Sequence, residues 1–216
     1  MPLSSAERKR LDAAVARVEA RTGAQVVVAC VPKSDTYPEL PWKAFACAAS
    51  IAAFAVAASE TWRPGWTMAA TPLWVSLIVL GAGAAAALLA IFVPRFARLF
   101  LRDARAEVEA RHHAKVMFFD HELFATRQRC AVLLFVSVLE RHIVVLPDKG
   151  VRSRVPDAIW NGVIEVMRAP LARGRRADAI GAGLAAIEAA LLAHGWHGGA
   201  QKHDELPAGI IETKGA

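Results

Sequence analysis

The chain is poor in cysteine, nearly devoid of tyrosine and, over two long stretches, almost without charge. Its three cysteines, Cys30, Cys47 and Cys130, have no metal-ligand spacing, and an odd, scattered set suits a reducing compartment rather than a disulfide framework. A nucleic-acid groove interleaves aromatics with clustered basic residues. One tyrosine and a dispersed net charge of +6 do not build one, so no nucleic-acid partner is expected. Neither a phosphate-binding loop nor a dinucleotide fingerprint occurs. Gly181-Ala182-Gly183 lies within a helical pattern and follows no strand, so close packing is its expected use. No Ser-His-Asp arrangement is recognisable from residue order. The opening residues, MPLSSAERKRLDAAVARVEA, are charged and amphipathic, without the apolar region of a signal peptide.

Where charge is missing, apolar length takes its place. Trp42 to Ala58 (WKAFACAASIAAFAVAA) carries only Lys43, and Pro72 to Val93 (PLWVSLIVLGAGAAAALLAIFV) carries no charge. At about 17 and about 22 residues, both reach across a ~30 Å hydrocarbon core, the first at the short end of the range. The connector SETWRPGWTMAAT sets Trp62 and Trp66, with Trp42 and Trp74, at the levels of an aromatic interfacial belt. The expectation is a transmembrane hairpin over 42–93. Small residues (Ala48, Ala49, Ala52, Ala53, Gly81, Gly83) let the two helices approach closely, and homo-oligomers through the same faces are left open. Cations cluster outside the connector: Lys33 and Lys43 before it, and Arg95, Arg98, Arg102 and Arg105 after it, against Arg63 alone within. The positive-inside bias therefore predicts a two-pass protein of a plasma or bacterial-type inner membrane, with both termini cytoplasmic.

The remaining sequence reads as α/β. Ser4-Ser5-Ala6-Glu7 is a capping box, and Leu11, Ala14, Val15 and Val18 follow at helical spacing until Thr22-Gly23 stops the helix. QVVVACV, from Gln25 to Val31, is apolar on both faces, as for a central strand covered on each side. Pro94 to about Gln128 reads as one long helix or two. Within it, Arg95, Arg98, Arg102 and Arg105 are spaced as one stripe for anionic head groups. Two strands follow, Cys130 to Leu139 and His142 to Leu146, turned at Glu140-Arg141. Helices led by Pro156 and then by about Ala177 close the domain, and residues 195–216 read as a flexible tail. His112, His113, Asp120, His121 and Glu122 lack the i, i+4 spacing of a metal-binding helix, which leaves a solvated or partly packed face. His194, His197, His203 and Asp204 fall in or beside the tail.

The opening LSSAERKRLDAAVARVEARTGAQVVVACVP and the later block AVLLFVSVLERHIVVLPDKGVRSRVPDAIWNGVIEVMRAPLARGRRADAIGAGLAAIEAAL together resemble the TPM domain family, which includes thylakoid-lumen photosystem-repair proteins with acid-phosphatase activity. The resemblance covers about residues 3–33 and 95–194. It implies a compact domain with a small mixed sheet flanked by helices, interrupted after the first strand by the hairpin. The family's Asp-Asn-Gly-like turn before the second strand is here Gln128-Arg129-Cys130, and its Gly-rich loop ending near a Glu is the basic Pro147-Asp148-Lys149-Gly150-Val151-Arg152.

A hard cation needs several oxygen ligands, and only Asp148 and Asp157 stand nearby. The favoured reading is a membrane protein displaying a non-catalytic TPM-like module. Its partners would be the bilayer and a membrane or cytoplasmic protein, and it would need no cofactor. The alternative is a phosphatase-like hydrolase with a divergent acidic site at Asp148 and Asp157, using calcium. A third reading is a lipid-surface sensor built on the arginine stripe.

Overall fold

The computed structural model describes residues 3–62, 71–197 and 210–212. In chain order the elements are α1 (Ser5–Thr22), β1 (Gln25–Val31), α2 (Glu39–Trp62), α3 (Thr71–Phe92), α4 (Pro94–Ala97), α5 (Asp103–Asp120), β2 (Ala131–Ser137), β3 (His142–Pro147), α6 (Lys149–Arg152), α7 (Asp157–Ala172), α8 (Arg176–Ala193) and β4 (Ile210–Glu212). They form two units, one of Met1–Asp35 with Ala106–Ala216 and one of Thr36–Arg105.

The first unit is built on a mixed four-stranded sheet of order β3-β2-β1-β4. Strand β1 runs parallel to β2, with Gln25 opposite Ala131 and Val31 opposite Ser137. Strand β3 returns antiparallel to β2. Strict alternation assigns the faces. Val26 and Val28 of β1, with Val132, Leu134 and Val136 of β2, pack under α1, α7 and α8 through Leu11, Val15, Trp160, Met167, Leu184 and Ile187. Val27, Ala29 and Val31, with Leu133 and Phe135, pack under α5 through Ala110, Ala114 and Met117. The doubly apolar strand expected from QVVVACV is thus explained: both of its faces are covered by helices.

Local chemistry sets the ends of α1. The Glu7 N–H donates to the Ser4 hydroxyl (3.2 Å) and the Ser4 N–H donates back to the Glu7 carboxylate (2.8 Å), closing the capping box. Gly23 closes the other end in the left-handed region, at φ 72°, where a Cβ would be strained.

The second unit holds α2 and α3, both long and apolar enough to cross a membrane. The first of them is a 24-residue helix, longer than the 42–58 segment read from hydropathy alone. Gly83 receives the ring of Phe45: a Cβ there would stand 2.7 Å from its edge carbons. Large side chains along both helices, among them Phe54, Leu77, Leu80 and Leu88, are exposed. A core helix would bury them. Trp42, Trp62 and Trp74 are exposed as well, whereas Arg63 and Trp66 of the connector lie outside the described residues.

One expectation is corrected. The segment after α3, read as one helix or two, is divided: Pro94 starts α4, a 3-10 turn spans Arg98–Phe100, and Leu101 is extended at ψ 125° before α5 begins. The four arginines therefore do not share one helical stripe. Within the segment read as a flexible tail, the described residues are 195–197 and 210–212. Trp196 is 5% exposed in the core beneath α7 and α8, and Ile210–Glu212 pairs in parallel with Val28–Cys30 as the edge strand β4. His203 and Asp204 lie outside the described residues.

Candidate functional site

Polar chemistry gathers at two opposite ends of the sheet. At the end where β2 begins and β3 finishes, Asp148 is the N-cap of α6. Its Oδ1 accepts the Lys149 N–H (2.7 Å) and its Oδ2 lies 3.0 Å from Arg129 Nε. That carboxylate is only 4% exposed. The Asp148 N–H donates to the Ala131 carbonyl (2.8 Å) and the Gly150 N–H to the Arg129 carbonyl (3.0 Å), which clamps the start of α6 onto the chain entering β2. Gly150 is required there, because any Cβ would collide with the backbone carbonyl oxygens of Gln128 and Arg129.

Asp157 behaves differently. It opens α7 with a side chain 79% exposed and 3.8 Å from Arg152. The two candidate acids therefore serve separate partners, one capping and one solvated, and the surface around them carries Arg129, Lys149, Arg152 and Arg154. Among the described residues, no group of three or more His, Cys, Asp or Glu side chains is placed to hold a metal ion.

The other end, beyond the C-terminal ends of the parallel strands β1 and β2, is where α/β sheets commonly carry their ligands. Here it holds a buried network that residue order did not reveal. The Glu140 carboxylate, in the β2–β3 turn, points inward. It accepts the Ser34 N–H (2.7 Å) and, through its other oxygen, the Ser137 hydroxyl. The Ser34 hydroxyl donates to Ser137 Oγ (2.9 Å). His113 Nδ1 stands 3.1 Å from the Ser34 carbonyl, and its ring rests on Phe135 at 5.6 Å between centroids. Because a carbonyl only accepts, the proton is assigned to Nδ1.

These are the residue types of a hydrolytic triad in the wrong order. The serine hydroxyls bond to each other and to the carboxylate, and the imidazole faces the Ser34 carbonyl, so His113 is not placed to take a proton from either serine. What the network does is mechanical. Together with Val138 N–H to Val31 O (3.0 Å) and Leu139 N–H to Pro32 O (2.9 Å), it fixes the chain as it leaves β1. The β1–β2 register, which places Val31 opposite Ser137, is what brings these residues together.

The remaining candidates are dispersed. Arg95 and Arg102 are exposed and Arg98 is half-buried. Arg105 is engaged, 2.9 Å from Glu39 and stacked over Tyr37. His112 and Asp120 are exposed on α5, away from the network. His194 Nδ1 lies 2.8 Å from the Ala190 carbonyl at the end of α8.

Residues 97–190 match the TPM domain family, from α4 through most of α8. No curated protein matches the chain. Among solved structures, the NMR structure of the BA42 protein from the psychrophilic bacterium Bizionia argentinensis superposes with a TM-score of 0.59 at 14% identity, covering 99% of this chain and 97% of that one. At that identity the likeness establishes shared fold, and it agrees with the family match: the chain carries a TPM domain.

Proposed function

We propose that the protein is a two-pass membrane protein whose TPM domain serves, on the cytoplasmic side, as a non-catalytic interaction module for a membrane complex. The observation carrying this reading is the use made of Asp148. Its carboxylate is committed to capping α6 and to Arg129, and Asp157 is turned to solvent beside Arg152, so the strand ends present cations where a phosphatase-like centre would gather oxygen ligands. Chain parity supports two crossings: β1 precedes the hairpin and β2 follows it, yet the two strands pair directly and need the same side of the bilayer. Lys33, Lys43, Arg95, Arg98, Arg102 and Arg105 mark that side as cytoplasmic.

The test is phosphatase turnover and calcium binding by the purified protein in detergent, beside the Asp148→Asn and Asp157→Asn variants. The expected result is neither turnover nor saturable calcium binding. Calcium-dependent turnover that disappears in Asp157→Asn would overturn the reading and establish the hydrolase instead.

A further inference from the structure

Helix α5 has two faces of opposite character. Ala106, Ala110, Ala114 and Met117 recur at i, i+4, i+8 and i+11 and are buried, the last three of them against the sheet. On the far side Val108, His112, Lys115 and Phe119 recur at i, i+4, i+7 and i+11, flanked by Arg111 and Val116. Val108 is 62% exposed and Phe119 65% exposed. None of these six residues is acidic. Glu107 and Glu109 sit at the flanks, where Glu107 meets Arg111 at 3.4 Å. Glu107, Val108, Arg111, His112 and Lys115 also line a shallow hollow.

The geometry points to this face as a docking surface for an anionic lipid head-group layer. Large apolar side chains such as Val108 and Phe119 beside cations such as Lys115 and Arg111 are what an interfacial helix presents, the first to the acyl boundary and the second to phosphates. The chain also tethers this helix to the span. Only residues 93–102 separate α3 from α5, so even fully extended they hold the start of α5 within about 40 Å of the end of the span. A free acidic protein would satisfy the charge but has no comparable tether. The inference rests on the membrane reading above.

The experiment uses the full chain in nanodiscs of phosphatidylcholine alone or mixed with phosphatidylglycerol. In a Cys47→Ser background, single fluorophores are attached at Ala104→Cys, on the exposed side of α5, at Ala189→Cys, on α8 across the sheet, and at Leu80→Cys, within α3. Head-group nitroxide lipids should quench the Ala104 label strongly and the Ala189 label weakly, and only when phosphatidylglycerol is present. Lys115→Gln should lower the docked-to-undocked ratio about fivefold, the worth of one cation at an anionic surface. Equal quenching at Ala104 and Ala189, or quenching indifferent to both phosphatidylglycerol and Lys115→Gln, overturns the proposal and assigns the face to a protein. A Leu80 label untouched by acyl-chain nitroxides would sink the membrane reading itself, so the two failures are separable.

Discussion

Replacing Glu140 by alanine is expected to destabilise the TPM domain far more than its position in a hairpin turn suggests. Its carboxylate accepts the Ser34 N–H and the Ser137 hydroxyl in a buried setting. A buried donor stripped of its partner costs about 1–3 kcal/mol, with bonds to charged acceptors toward the upper end. The Ser34 hydroxyl already donates to Ser137 Oγ at 2.9 Å, so the two serines share one bond and cannot replace the lost acceptor for both the Ser137 hydroxyl and the Ser34 amide. The net loss is therefore about 2–4 kcal/mol, a large part of the stability of an ordinary domain. In melting temperature this is a fall of about 5–15 °C. Glu140→Gln keeps one acceptor and should lose about half as much. Denaturant unfolding followed by the buried Trp160 and Trp196, with hydrogen exchange at the Ser34 amide, measures both quantities. A loss below about 1 kcal/mol with Ser34 protection unchanged would refute the argument that this network secures the exit of β1.

Gly150→Ala should cost about 2–4 kcal/mol, because the added methyl meets backbone carbonyls that cannot swing aside as a side chain can; a melting temperature equal to that of the parent would contradict the clamp. Trp196→Ala should cost about 3–5 kcal/mol by emptying a buried site and removing the stacking of Arg154, 4.8 Å from the ring; chemical unfolding of the variant checks it. Asp178 is held below the ordinary carboxylate range by its hydrogen bond from Arg10, and Glu7 by its bond from the Ser4 hydroxyl. Both carboxyls bind protons more weakly when folded, so their contribution is present above about pH 4 and fades as pH falls through the lowered values. Thermal unfolding should accordingly be flat near neutrality and decline in acid, with a shallower decline in Asp178→Asn; superimposable curves would remove Asp178 from the account.

Features carried by local rules were legible in the sequence. The capping box at Ser4 and Glu7, the left-handed Gly23 and the two-faced burial of Gln25–Val31 follow from a few adjacent residues each. What escaped depends on distant partners. Glu140 reads as a solvent-facing turn residue until β1 places the Ser34 amide beside it. Ile210–Glu212 becomes a strand only because β1 offers it an open edge. The arginine spacing after α3 looked helical because periodicity does not register an extended residue such as Leu101. Asp148 and Asp157 both stand out in the sequence as candidate acids, yet the role of Asp148 as a cap depends on Arg129 and on the short α6 helix.

The pairing of β1 with β2 has a consequence for biosynthesis. Val31 leaves the ribosome about a hundred residues before Ser137, the residue opposite it. At about 5–20 residues per second, the nascent chain carries QVVVACV without its neighbour for about 5–20 s. During that interval α1 can shield one side of the strand through Leu11, Val15 and Val18, while the other side waits for α5. The hairpin is synthesised within this same interval. On the two-pass reading proposed above, delivery of the hairpin into the bilayer would hold the unfinished strand at the membrane and away from other nascent chains, so that insertion and protection from aggregation would be one event in time.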